Sequence, residues 1–427
     1  MGSILETVTP EVQLALCCAR TELSGTDRST LEALLQSDLS WRRVLELAAW
    51  HRIYTFLYWN LRSTESRGPE HDDAMRKLKD AYLASAAMHL RRQGELRQAL
   101  TALRVEGIPV IVLKGAALAE TVYPDPAMRV MEDVDILVEE QHLERADGVI
   151  RSFGYETAET PYEEEIVREG HRHYPRLEGK SRLTSFEVHR HLVTQDTRFH
   201  FDISACWQSA RRAVIAGVET MIPAPDEMLL HLCVGFFLDR RRFHQSFAAL
   251  RQLVDISETI RHYGPELDWD RFVRLTRQRR MEGPAFCALA SAKELLGVEV
   301  PEGPLVDVRP EGFDDSMNRL FIARKVLEST PWFLHELVTV ADNTRGNMTK
   351  SALRRMFFPG GYLRIKYWPH VERPMRLYIR HGLDALRFAA ESAREPGRPA
   401  EHLRVDRWMH FLEAPHGEDR GPARGQQ

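Results

Sequence analysis

The chain has 427 residues, 43% hydrophobic and 28% charged, with a formal net charge of −4. That length buries a large core and predicts about two or three domains, while near-neutrality gives no global electrostatic case for a nucleic-acid-binding protein. Five cysteines (Cys17, Cys18, Cys206, Cys233, Cys287) without Cys-x-x-Cys spacing argue against a disulfide scaffold and for a reduced, cytoplasmic compartment.

The first residues, with Glu6 and Thr9-Pro10, lack the charged start and apolar centre of a signal peptide. Residues 11–105 read as helices. Val12, Leu14, Leu16 and Cys17 begin the first, and Ser29/Thr30 cap the next through Leu35. Trp41 opens another, with Val44, Leu45, Leu47, Ala48 and Trp50 at helical spacing. Trp50, Tyr54, Leu57, Tyr58 and Trp59 resemble a base-stacking platform, but at this spacing core packing is the better reading. Gly68-Pro69 and His71-Asp72-Asp73 form a polar connection to a long helix from about Ala74 to Val105. The segment 1–105 is thus an N-terminal helical domain.

From Gly107 the pattern changes. Ile108–Leu113 is short, β-branched and stopped by Gly115, so it reads as a buried strand. Ala116–Val122 reads as a helix that Tyr123-Pro-Asp-Pro ends, and Asp133–Val138 as a second strand. Side chains alternate along a strand, so Asp133 and Asp135 leave one face about 7 Å apart. Two carboxylates side by side repel, and a divalent cation such as Mg²⁺ removes the conflict with hard oxygen ligands. Glu139-Glu140-Gln141 starts a helix through Phe153, stopped by Gly154. Acidic Tyr155–Glu169 reads as a loop or lid. His171–Leu177 and Arg182–Leu192 read as a hairpin across Glu178-Gly-Lys-Ser, with Glu187, His189 and His191 on one face. If that second strand lies beside Asp133–Val138, Glu187 supplies a third carboxylate.

Met221–Pro225 is a break, followed by helices at about Asp226–Leu238, Gln245–His262, Trp269–Gln278 and Pro284–Leu296, with Asp226 as an N-cap. The longest apolar run, Met228–Leu238, contains His231 and is too short to span a bilayer, so no membrane partner is expected. A Pro/Gly-rich linker covers Val298–Gly312, and residues 315–344 read as helical. Lys350–Arg387 interleaves basic residues with Phe357, Phe358, Tyr362, Tyr367, Trp368 and Tyr378. It suits either a nucleic-acid backbone or amphipathic helices, and the helices are favoured. The tail from Pro415 reads as disordered.

Lys114-Gly-Ala, the loop ending in Arg129, Asp133-Val-Asp-Ile-Leu-Val and Phe186-Glu-Val-His together resemble the uncharacterised bacterial nucleotidyltransferase family, of the DNA polymerase β-type superfamily. Segments upstream (Trp41–Tyr54) and downstream (Leu250–Ile256, Leu267–Phe272) are also similar, so the resemblance is expected to cover roughly Leu31 to Arg387. It implies an α/β (α+β) core with a small mixed sheet at 106–222. Flanking it would be the helical domain 1–105, a helical domain 223–300 and a C-terminal helical, basic and aromatic region 301–414, before the tail 415–427. It also implies that Asp133, Asp135 and Glu187 hold two Mg²⁺ ions, with Glu187 a candidate base for the incoming hydroxyl. Backbone N–H groups of Gly115-Ala116 would cradle an NTP triphosphate, and Lys114 and Arg129 would neutralise its charge. Ala116 stands where the superfamily has Ser, and the loop before Asp133 is longer than usual. The implied activity moves an NMP from an NTP to an unidentified hydroxyl or phosphate acceptor. A non-catalytic nucleotide-binding protein or a toxin-like RNA-modifying transferase are the alternatives. His171, His173, His189 and His191 could meet in a zinc site or line the open face of the sheet, with His189 touching substrate or phosphate.

Overall fold

The computed structural model describes residues 4–65, 67–131, 133–158, 174–179, 184–193, 199, 201–243 and 248–327, and also 401, 404, 405, 408, 409 and 412. His171, His173, the second half of the expected hairpin turn, most of the acidic stretch, the basic aromatic stretch 350–387 and the tail lie outside the described residues.

Four short helices, α1 (Pro10–Cys18), α2 (Gly25–Leu35), α3 (Trp41–Trp50) and α4 (Tyr54–Leu61), precede the 37-residue α5 (Pro69–Val105). α2 begins earlier than expected. Ser24 Oγ accepts the Asp27 N–H while the Asp27 carboxylate accepts the Ser24 N–H, a capping box that places Ser29 and Thr30 inside the helix. α5 also starts earlier, because Pro69 suits the first position and Glu70 and Asp72 suit the positive end of the helix. His71-Asp72-Asp73 is therefore helix, not connection. Trp50 and Leu57 are buried, and Tyr54, Tyr58 and Trp59 pack against the core. Those aromatics are structural.

Gly107, in the left-handed region at φ +67°, turns the chain out of α5 into the sheet. The seven strands are β1 (Ile111–Val112), β2 (Asp133–Leu137), β3 (Tyr155–Thr157), β4 (Leu177–Gly179), β5 (Ser185–His189), β6 (Arg211–Ile215) and β7 (Val218–Ile222). They lie in the order β3-β4-β5-β2-β1-β7-β6. β1 is antiparallel to β2 and parallel to β7, whereas β2 and β5 are parallel, so the sheet is mixed. β1 is shorter than the expected Ile108–Leu113, although the Val110 carbonyl and the Leu113 N–H still bond to β7 and β2. Between strands run α6 (Lys114–Thr121), α7 (Leu143–Arg151, after a 3₁₀ turn at Glu140–His142) and α8 (Ile203–Ser209).

Three parts of this sheet differ from the sequence reading. Tyr155–Thr157, expected in a loop, is an edge strand paired with β4. Of the expected strand His171–Leu177, residues 174–176 are not strand and only Leu177 is; β4 continues through Glu178 and Gly179, which were expected in the turn, and runs antiparallel to β5. The β6–β7 hairpin was not anticipated. Its turn places both Ala216 (φ +52°) and Gly217 (φ +75°) in the left-handed region, the requirement of a two-residue I′ turn. Arg97 of α5 donates to the Ala216 carbonyl (2.7 Å) and Glu120 of α6 accepts the Ala216 N–H (2.8 Å), so helices pin the turn.

After the sheet come α9 (Pro225–Phe243), α10 (Ala249–Tyr263), α11 (Trp269–Gln278), α12 (Glu282–Leu296), α13 (Glu302–Asp307) and α14 (Asp315–Phe321). Asp226 is the second residue of α9, not its cap, and pairs with Arg271. The expected linker contains α13, and only the start of the expected helix 315–344 is described. One contiguous set of buried apolar residues runs from Ile4 to Leu412, through helices on both sides of the sheet in sequence. All five cysteines are buried and unpaired, and burial pushes the Cys206 thiol up to about 12. No helix among the described residues is long and apolar enough to cross a membrane.

Candidate active site

The site is set by the register of β2 against β5. Asp135 lies opposite Glu187, Asp133 opposite Ser185 and Leu137 opposite His189. Adjacent strands sit about 4.8 Å apart and side chains alternate, so the register puts Asp133, Asp135, Glu187 and His189 on one face. Val134, Ile136, Phe186 and Val188 point the other way into the main core. Beside the site, a small apolar group of Ile111, Leu113, Leu137, Leu192 and Cys206 packs with Trp207 of α8 and anchors that face.

Asp135 is buried and bridges the side chains of His189 and Lys114. Its Oδ1 lies 2.7 Å from His189 Nε2, and its Oδ2 lies 3.3 Å from Lys114 Nζ. Glu187 Oε2 is 3.4 Å from the same His189 nitrogen. The donor atoms of Asp135, Glu187 and His189 all fall within 4.8 Å of one another, a set that can hold a metal ion. Burial, with the like charges of Asp135 and Glu187 behind it, pushes the Asp133 carboxyl up to about 6. Burial opposes a charge on His189, yet the Asp135 carboxylate and the bonds to Asp135 and Glu187 hold its imidazole above the ordinary value. Three carboxylates thus crowd one patch, and hard oxygen donors in that arrangement fit a divalent cation.

Lys114 opens α6 in the left-handed region (φ +42°), an uncommon conformation for a residue with a side chain. It puts the side chain toward Asp135 while the first backbone N–H groups of α6, at Gly115 and Ala116, begin the helix. Helix geometry leaves such N–H groups without intrahelical acceptors and favours anions. The helix therefore begins two residues before the expected Ala116. Gly115 is needed here for the close approach of its neighbours. A Cβ on it would meet Met131 Cγ at 3.2 Å and the Arg129 guanidinium at 3.3 Å.

Arg129 lies behind this turn. Its Nε donates to Asp255 Oδ1 of α10 (2.7 Å), and Tyr123 Oη donates to the same oxygen (2.7 Å). The long loop before β2 is held from three directions. Arg251 of α10 donates to the Val130 carbonyl, Thr55 of α4 to that of Met128, and Ser85 of α5 to that of Ala127. Asp255 and Arg251 were not singled out in the sequence. The available signal was an acid inside the apolar run Leu253-Val254-Asp255-Ile256.

Two of the four histidines of the zinc reading are described, His189 and His191. His171 and His173 lie outside the described residues, and His191 presents its backbone carbonyl to His189 Nδ1 at 3.2 Å.

No curated protein and no solved structure matches the chain. The model of a family described as uncharacterised nucleotidyltransferase matches residues 37–297, so the span expected beyond residue 297 falls outside the match. That match takes in more than half of the chain, with α3 at its start, both strands of the carboxylate face and α12 at its end. The chain belongs to the uncharacterised nucleotidyltransferase family.

Proposed function

We propose that the chain is a divalent-cation-dependent nucleotidyltransferase that moves an NMP from an NTP to a hydroxyl or phosphate acceptor. The observation that carries this reading is the parallel β2–β5 register, which brings Asp133, Asp135 and Glu187 to one face beside the start of α6. Asp133, Asp135 and Glu187 would hold two Mg²⁺ ions, which when bound supply Lewis-acid stabilisation to the attacking and leaving oxygens. Glu187, less enclosed than His189, would take the proton of the acceptor hydroxyl. The N–H groups at Gly115 and Ala116 orient the triphosphate, and Lys114 Nζ moves from Asp135 to a phosphate oxygen as charge builds on the leaving pyrophosphate. Arg129, its charge met by Asp255, would act from behind the Gly115 turn by holding that turn in shape against the triphosphate. The helices before and after the sheet shape the acceptor pocket.

Ala116, in place of a hydroxyl residue, favours one further reading, a protein that binds nucleotide without transferring it. One experiment separates the two. The protein is incubated with each α-labelled NTP and Mg²⁺ in cell extract, and the labelled product is identified. Label on an acceptor, lost in Asp135→Ala, supports transfer. Bound nucleotide with no labelled product supports the binding reading, and label on tRNA identifies an RNA acceptor.

A further inference from the structure

His189 brings nitrogen into a set of oxygens. Its Nδ1 lies 3.2 Å from the His191 carbonyl, an oxygen that can only accept, so Nδ1 carries its proton. The other ring nitrogen, Nε2, faces the carboxylates, 2.7 Å from Asp135 Oδ1 and 3.4 Å from Glu187 Oε2. Adjacent donors around an octahedral ion with bonds of about 2.1 Å sit about 3 Å apart, and these two separations straddle that spacing. The ring is fully buried on β5, so its direction is fixed by the sheet and not by solvent. Asp133 is not one of the three residues whose donor atoms converge within 4.8 Å. Oxygen donors alone suit Mg²⁺, whereas an imidazole moves a site toward the transition ions.

We infer that Asp135, Glu187 and His189 form a mixed oxygen–nitrogen site for one divalent ion, that His189 Nε2 ligates that ion directly, and that the site prefers Mn²⁺ to Mg²⁺. The inference rests on the reading of this face as a cation site, and it gives His189 a role on the metal instead of on the phosphates. The carbonyl of His191 orients the ring in the manner of the outer partners that metal-bound histidines use.

The test uses the full chain without nucleotide and Mn²⁺ as the probe. Electron spin-echo spectra of the bound ion are expected to show ¹⁴N modulation from imidazole, and competition is expected to show Mn²⁺ binding about tenfold or more tighter than Mg²⁺. In His189→Gln the modulation disappears and the preference for Mn²⁺ falls toward one. Three results overturn the inference: Mn²⁺ bound without nitrogen modulation, modulation that persists in His189→Gln, or no Mn²⁺ bound to the free protein. The wild-type spectrum decides even if the variant fails to fold. Transfer with Mg²⁺ but no nitrogen signal would remove this inference and leave the reaction, whereas a nitrogen signal with no transfer from any NTP would do the reverse.

Discussion

Glu227 on α9 and the Asp135–Glu187 pair on the sheet are carboxylates held largely away from water, yet their surroundings differ in kind. Glu227 meets the Arg279 guanidinium in a two-point pair at 2.6 and 2.9 Å, with Arg271 close by, so its charge is met within the protein. On the sheet face, Asp133, Asp135 and Glu187 share Lys114 and His189, and the crowding shows in a carboxyl raised to about 6. The first arrangement is closed and structural. The second holds negative charge concentrated where a strand pair meets a helix start, which is what a cation-dependent reaction centre needs.

Breaking the open cluster should have the largest effect on chemistry. Asp133→Ala or Asp135→Ala is expected to lower transfer by about 10³-fold or more, the scale on which lost charge stabilisation acts, with an unchanged circular dichroism spectrum. Full activity in either variant would remove the mechanism. The closed pair should respond in the opposite way. Glu227→Ala strands Arg279 as a buried charge and should cost about 3–5 kcal/mol of stability by denaturant titration. Divalent-cation binding to that variant, measured under folding conditions, should be unchanged.

Cation addition sharpens the contrast. At a hundredfold excess over the dissociation constant, a divalent ion should stabilise the wild type by about 2.7 kcal/mol, reversibly with EDTA. The stabilisation should be absent in Asp135→Ala and retained in Glu227→Ala. Gly115→Ala should be milder, at about 1 kcal/mol of stability, because its methyl must displace Met131 or Arg129 by a few tenths of an ångström. A drop in transfer larger than that stability loss implies would show the turn's role in the reaction.

The smallest effect concerns pH and lies outside both regions. Burial in α5 holds the His89 imidazole below its ordinary value of 6.5, against the pull of Glu120 and Asp125. The unfolded chain therefore takes up this proton more readily, and stability is lost as pH falls below about 6.5. Denaturant titrations at pH 7.5 and 5 should show a smaller acid loss in His89→Gln than in the wild type. An equal loss would place the pH dependence elsewhere.

The carboxylate face was legible in the sequence for a physical reason. A two-residue period places Asp133 with Asp135, and Glu187 with His189, without any knowledge of the fold. The pairing of β2 with β5 was legible only as a condition, since it depends on contacts across about fifty residues of intervening chain. The β6–β7 hairpin escaped notice because Arg211-Arg212 on the edge strand β6 and the exposed Glu219 on β7 blur the apolar alternation, although Ala216-Gly217 was a turn signal. Tyr155–Thr157 was hidden by the acids that follow it. Asp255 and Arg251 could not be read as site supports, because their importance lies in what they hold, the Arg129 loop more than a hundred residues away.

The central claim is most directly tested by a crystal structure of the protein soaked with Mn²⁺ and a non-hydrolysable NTP analogue, read in the anomalous difference map. The account predicts a peak between Asp135 and Glu187, with the triphosphate against Lys114 and the start of α6. A triphosphate bound elsewhere, or a map with no ion on that face, would contradict it.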